Sequence, residues 1–203
     1  MNDTLSLPVT TEGVRDFLAG PWAAGIGPAY AARLTEHFGT DAVRVLAENP
    51  AEAAAAVPGL GSVRAEGASE SLRAVTAPLG LLIFLCSCGI GETYIERILA
   101  KYRKRATEVV ASDPYSMVEQ VWQLSFFTAD KIGRALGIPD GDPRRLTAAL
   151  VTAVKRHAEQ GHLFATHAEA VAEGARIAGV DAVAVEAQIA TAVADGRLVE
   201  SRG

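Results

Sequence analysis

Residues 25–38 read Gly-Ile-Gly-Pro-Ala-Tyr-Ala-Ala-Arg-Leu-Thr-Glu-His-Phe, and residues 89–102 read Gly-Ile-Gly-Glu-Thr-Tyr-Ile-Glu-Arg-Ile-Leu-Ala-Lys-Tyr. The two stretches lie 64 positions apart, and that register holds without a gap over residues 25–68 against 89–132. Tyr30 falls on Tyr94, Arg33 on Arg97, Ala42 on Ala106, Val45 on Val109, Pro50 on Pro114, Val57 on Val121, Leu60 on Leu124 and Ala65 on Ala129. Self-similarity at a fixed offset marks a repeated supersecondary unit. After each Gly-Ile-Gly the apolar positions come at helical spacing, Ala31, Leu34 and Phe38 in one copy and Ile95, Ile98 and Tyr102 in the other. Each glycine loop is therefore expected to open a helix. A second short helix is expected over 41–48 and 106–111, stopped by Asn49-Pro50 and Asp113-Pro114, because the residue before proline is pushed out of the α region. A further turn follows, Pro58-Gly59-Leu60-Gly61 in the first copy and Trp122-Gln123-Leu124-Ser125 in the second, each leading into another helix. Each copy thus holds two helix-loop-helix units.

Outward from the repeat the pattern changes. An amphipathic helix is expected from Leu146 to about Gln160, then helices from His167 to Ala178 and from Ala182 to Ala194, with Gly137–Pro143 as a linker. Arg197-Leu198-Val199-Glu200 reads as a short strand, which makes this part a small winged-helix-like module. The fold class is mainly α, in four segments: an N-terminal extension at 1–20, a first pair of hairpins at 21–78, a second and partly degenerate pair at 79–140, and the winged-helix-like module at 144–203. Hydrophobic residues make up 49% and charged residues 21% of the 203-residue chain, which excludes a disordered tail. The apolar run from Leu79 to Cys86 is far shorter than the roughly 20 residues of a membrane span and reads as a buried helix. Nothing at the N-terminus resembles a signal peptide, so a reducing cytoplasm is expected.

In Gly-hydrophobe-Gly between short helices the glycines permit positive φ and keep side chains away, while the central Ile or Leu anchors the turn in the core. The backbone N–H groups then face outward at the start of the next helix, where unpaired donors and the helix dipole favour an anion such as a DNA phosphate. Such contacts carry no base information, so sequence-independent binding is expected. The net charge of -5 is the wrong sign for a phosphate grip over the whole surface and confines any DNA contact to a local patch.

These turns, together with Val-Pro-Gly-Leu-Gly at 57–61, Phe-Leu-Cys-Ser-Cys-Gly-Ile-Gly at 84–91, Asp-Pro-Tyr at 113–115, Phe-Phe-Thr-Ala-Asp-Lys-Ile-Gly at 126–133 and Glu-Gln-Gly-His at 159–162, closely resemble the N-terminal region of RecD-like ATP-dependent DNA helicases. The resemblance covers roughly residues 20–200 and implies tandem helix-hairpin-helix pairs followed by a small helical module. The family's ATP-hydrolysing motor domains are not represented and no Gly-x-x-x-x-Gly-Lys-Ser/Thr loop occurs, so the chain reads as a stand-alone relative or a fragment, with no cofactor and no enzymatic role expected. The DNA-contacting residues expected are Gly25, Gly27, Gly59, Gly61, Arg64, Gly89, Gly91, Lys101, Arg103, Lys104, Arg105 and Lys131. The second copy, with its cluster Lys101 to Arg105, is the expected location. The fourth turn, Gln123-Leu124-Ser125, departs from Gly-Ile-Gly and is not expected to bind phosphate.

Other residues carry plainer readings. Cys86 and Cys88 read as unreactive thiols, and Trp22, Trp122, Phe126 and Phe127 as core anchors beside hairpins. His157, His162 and His167 straddle a glycine break and lack partners at metal-ligand spacing. Asp130 reads as a helix-start carboxylate, and no nucleophile, base and orienter set stands out. The partner expected is the backbone of single-stranded or junction DNA, with a helicase or nuclease alongside. Two other readings stay open on the sequence: an adaptor that kept the scaffold and lost the DNA grip, and a scaffold recruited to small-molecule binding or catalysis.

Overall fold

A computed structural model describes residues 7–200, which form two compact units, one ending at Ala111 and the other beginning at Ser112. Both are helical, and no strand occurs among the described residues. The first unit holds α1 (Thr11–Ala19), α2 (Pro28–Phe38), α3 (Ala42–Glu48), α4 (Pro50–Ala56), α5 (Ser62–Arg73), α6 (Leu79–Ser87), α7 (Glu92–Tyr102) and most of α8 (Ala106–Ser112). The second holds α9 (Met117–Gln120), α10 (Phe126–Ala135), α11 (Pro143–Glu159), α12 (His167–Ala178), α13 (Ala182–Glu186) and α14 (Ile189–Ala194).

Element boundaries recur at the sequence offset. Helix α2 ends and a single 3-10 turn begins at Gly39, and α7 ends and a 3-10 turn begins at Arg103; α3 opens at Ala42 and α8 at Ala106; α5 opens at Ser62 and α10 at Phe126. The proline positions behave as expected. Asn49 and Asp113 take φ of -129° and -150°, outside the helical region, and the Asp113 carboxylate accepts from the N–H groups of Tyr115 and Ser116. Gly39 and Arg103 take nearly the same backbone conformation, with φ/ψ of 57°/-131° and 51°/-122°. Each donates its N–H to the carbonyl four residues back, Thr35 and Leu99.

Packing follows the periodicity. Helix α2 buries Ala31, Leu34 and Thr35, and α7 buries Ile95 and Ile98, which are i, i+3 and i, i+4 neighbours on one face. The apolar run at 79–86 forms α6, with Leu81 to Leu85 all buried, as a core helix rather than a span. No single described helix is long and apolar enough to cross a membrane. Helix α1 crosses α6 closely at Gly13, where a Cβ would come within 2.7 Å of the Ser87 Cβ.

In the second unit α11 and α12 pack along their lengths, and α12 opens on a reciprocal cap in which the Thr166 hydroxyl accepts from the Glu169 N–H and the Glu169 carboxylate accepts from the Thr166 N–H. The helix expected at 182–194 is broken in two near Ala187. The strand expected at 197–200, the wing of a winged-helix-like module, is not formed. Gly196 turns the chain with φ of 69°, and the N–H groups of Arg197 and Leu198 both fold back onto the Ala192 carbonyl, which closes the end of α14. The Arg197 guanidinium is held by Glu119, so the segment is tied by a side chain and has no neighbouring strand with which to form a ladder.

Asp130 is not at a helix start. It lies inside α10, buried at 8% exposure, and its carboxylate accepts from the Tyr115 hydroxyl (2.8 Å), Arg145 Nε (2.7 Å) and Arg134 Nε (2.9 Å). Arg145, 2% exposed, also donates to the carbonyls of Asp140 and Ala178. Burial opposes the charged carboxylate, but the hydrogen bonds from Arg145, Arg134 and Tyr115 outweigh it and hold Asp130 below the usual carboxylate range. Gly133 is required beside this network, because a Cβ there would run into the Tyr115 ring.

Candidate nucleic-acid interface

Four turns share one local geometry. The residue that opens each turn has positive φ: Gly25 at 76°, Gly59 at 80°, Gly89 at 65° and Gln123 at 58°. The central residues Ile26, Leu60, Ile90 and Leu124 are buried; Ile26, Leu60 and Leu124 each donate their N–H to the carbonyl three residues back, and Ile90 donates to Leu85. The next residue, Gly27, Gly61, Gly91 or Ser125, precedes a helix. The first N–H groups of those helices have no intrahelical carbonyl to meet and point out of the turn. The fourth turn therefore keeps its conformation although Gln123 and Ser125 stand where the other turns have glycine. Its Ser125 hydroxyl accepts from the Thr128 N–H, which occupies one of the donors a phosphate would use.

The first two turns are brought together by three side chains. The Tyr30 hydroxyl donates to the Gly59 carbonyl at 2.7 Å and accepts from Arg64 Nη1 at 2.8 Å. Arg64 lies over the Tyr30 ring, 4.8 Å from its centroid, and its stem passes the first turn so closely that a Cβ on Gly25 would sit 3.3 Å from Arg64 Cγ. Arg33 Nη1 donates to the Pro58 carbonyl at 3.0 Å. Helix α5 adds a further tie, the Ser71 hydroxyl accepting from the Ala24 N–H. Gly25 is thus constrained twice, by its positive φ and by the arginine stem against it.

Electrostatics distinguish these arginines from Arg44 and Arg105. Arg33 and Arg64 are exposed, and the oxygens they bond are formally neutral: carbonyls and a phenol. Arg44 is matched by Asp41 and Glu48, and Arg105 by Glu108. Two guanidinium groups with no carboxylate partner among the described residues therefore flank a pair of turns that present backbone donors, an arrangement suited to anionic oxygens.

The third turn, Gly89–Gly91, faces a different environment. Glu92 occupies the first position of α7, and with Asp16, Trp22 and Cys86 it lines a cleft of about 330 Å³ against the turn. Burial pushes the Cys86 thiol up to about 11, with Asp16 and Cys88 adding to the shift. A carboxylate at the mouth of this turn opposes a phosphate there. Lys101, Arg103, Lys104 and Arg105 are exposed at the far end of α7, about 15 Å along its axis from the turn. Lys131 is exposed in α10 of the second unit.

The expected site residues therefore do not form one patch. Gly25, Gly27, Gly59, Gly61 and Arg64 come together; Gly89 and Gly91 stand beside Glu92; the basic cluster caps the opposite end of α7. Sequence reasoning left Tyr30 and Arg33 out of the site. The signal was available, since both recur at the 64-residue offset as Tyr94 and Arg97, where the guanidinium again lies over the ring at 5.5 Å. Of the four aromatics expected as core anchors, Phe126 is buried and Trp22 half-buried, while Trp122 and Phe127 are exposed. His157 and His162 stack at 4.3 Å, and His167 lies 3.6 Å from Glu200 instead.

Residues 79–164 match the sequence family described as the ATP-dependent RecD2 DNA helicase HHH domain. These residues are thus similar to the helix-hairpin-helix domain of RecD2 helicases. Over 199 residues, 98% of its length, the chain is 28% identical to the ATP-dependent RecD2 DNA helicase of Deinococcus radiodurans. The chain spans 27% of that relative. The resemblance to RecD-like helicases read from the motifs is thus independently found, both for the second copy and along the whole chain.

Proposed function

We propose that this chain is a DNA-binding module of helicase context that holds the phosphate backbone without reading base identity. The carrying observation is the join of the first two turns: backbone donors at Gly25–Gly27 and Gly59–Gly61, fixed by Tyr30, with Arg33 and Arg64 facing solvent and matched to no carboxylate among the described residues. Each arginine supplies one charge-assisted contact to a phosphate, and the turns set the spacing and direction of approach. The third turn, Gly89 and Gly91, is a weaker contact because of Glu92. Lys101, Arg103, Lys104 and Arg105 act as a general positive field rather than as the grip. The natural partner is a DNA-translocating motor, by analogy with the relative's printed activity.

Fluorescence anisotropy with labelled duplex and single-stranded DNA over a range of salt tests this reading. Binding should weaken linearly in log-log form, with a slope of about 0.9 per phosphate neutralised on duplex. Arg64→Ala should weaken binding about equally for all sequences and reduce the slope by about one, and Arg33→Ala should do the same. Salt-independent binding, or loss on Lys101→Ala with none on Arg64→Ala, would refute it.

A further inference from the structure

The fourth turn presents side chains where the other three present bare backbone. Trp122 enters it 73% exposed, and Phe127, the second residue of α10, is 50% exposed. Phe126 between them is 1% exposed, packed on Tyr115 at 6.1 Å and edge-on to Phe127 at 5.7 Å, so the buried ring supports the exposed one. The Arg156 guanidinium lies over Phe127, 5.6 Å from its centroid, and also bonds Glu173 at 3.4 Å. Lys131 is exposed four residues after Phe127 on α10, which puts it on the same helix face. Lys155 is exposed beside Arg156 in sequence.

We infer that this turn is a stacking site for single-stranded nucleic acid, in which Trp122 and Phe127 take unpaired bases and Lys131 and Arg156 face the phosphates between them. Every base offers a flat π face to an aromatic ring, and that face is free only when the base is not stacked in a duplex. Lys131 and the part of the Arg156 guanidinium not engaged by Glu173 match a polyanionic strand, while an apolar protein surface laid over the same rings would bury the Lys131 ammonium without a counter-charge. The site accounts for two large rings held in water beside a turn that keeps its positive-φ conformation on Gln123 without glycine. It rests on the DNA-binding reading above but uses none of its residues.

The test measures anisotropy of the full chain with an oligothymidylate of about 20 nucleotides, an abasic oligomer of equal charge, and a duplex of equal length. Trp122→Ala and Phe127→Ala should each weaken oligothymidylate binding about tenfold and leave the duplex within about twofold. Trp122→Phe should recover most of the loss, which separates stacking from misfolding. In a Trp22→Phe background the remaining Trp122 fluorescence should be quenched by oligothymidylate and not by the abasic oligomer. Unchanged single-strand affinity in both alanine variants, or equal losses on duplex and single strand, overturns the stacking site and leaves the hairpin reading standing. Loss of duplex binding in Arg33→Ala/Arg64→Ala with Trp122 quenching intact supports the stacking site independently. No binding of any oligomer by the wild-type chain overturns both.

Discussion

Arg103 is held in a backbone conformation that its counterpart in the first copy meets with glycine. At φ 51° and ψ -122° it closes α7 by donating its N–H to Leu99, as Gly39 at 57° and -131° closes α2 by donating to Thr35. A side chain in this region costs about 1–3 kcal/mol. Arg103→Gly relieves that strain, loses about 0.5–1 kcal/mol to the greater freedom of glycine in the unfolded chain, and loses a few tenths for a cation at a helix C-terminus. The net expectation is a gain of about 1 kcal/mol, or roughly 4 °C in melting temperature. Arg103→Ala keeps the strain and loses the cation, so it should fall slightly below wild type. The converse change, Gly39→Ala, meets open space around its Cβ and should still cost about 1–2 kcal/mol, because the penalty lies in the backbone alone. Urea titration followed by circular dichroism, with m-values compared across the set, reads all three. The reasoning fails if Arg103→Gly is no more stable than Arg103→Ala, or if Gly39→Ala is neutral.

Other consequences follow from the interior. Asp130→Asn removes the nearer of the two carboxylates at the buried Arg145 guanidinium, leaving Asp140 at 3.7 Å, and should cost about 3 kcal/mol in chemical denaturation. Because the folded carboxylate titrates below its unfolded value of about 3.9, its stabilisation is fully present above that pH and is lost as pH falls through the lower folded value. The wild-type acid limb below about pH 4 should therefore flatten in Asp130→Asn. Gly133→Ala should destabilise by about 1–3 kcal/mol in chemical denaturation through collision with Tyr115, and Tyr115→Phe should not relieve it fully because the ring carbons also lie within 2.7 to 3.0 Å of the new Cβ. With its thiol pushed up to about 11, Cys86 should alkylate at pH 8 more than tenfold more slowly in the folded chain than in urea, measured by mass spectrometry after a timed quench.

The helices and turns were legible because their determinants are local. Glycine at 25, 59 and 89, proline at 50 and 114, and the apolar spacing of α2 and α7 act within a few residues of the structure they specify. The fourth turn was harder to read, since Gln123 reaches a glycine-like φ only under the constraint of buried Leu124 and the helices on either side. The candidate site was only half visible for a different reason. Arg64 and Tyr30 are 34 residues apart, and nothing local to either reveals that they meet over Gly59. Likewise, the pairing of Asp130 with Arg145 joins positions 15 residues apart, and a short carboxylate near the start of a helical pattern gives no sign that it will be buried. The segment Arg197-Leu198-Val199-Glu200 reads as a short strand, but a strand forms only when a neighbour supplies the ladder.

The Arg145 guanidinium touches the carboxylate of α10, the Asp140 carbonyl before α11 and the Ala178 carbonyl at the end of α12, while itself belonging to α11. Three helices thus share one buried cation, and none can open without taking a hydrogen-bond partner from it. Backbone amides near Asp130, Leu146 and Ala178 should then exchange with solvent deuterium through a common opening event, at matching free energies, instead of fraying helix by helix.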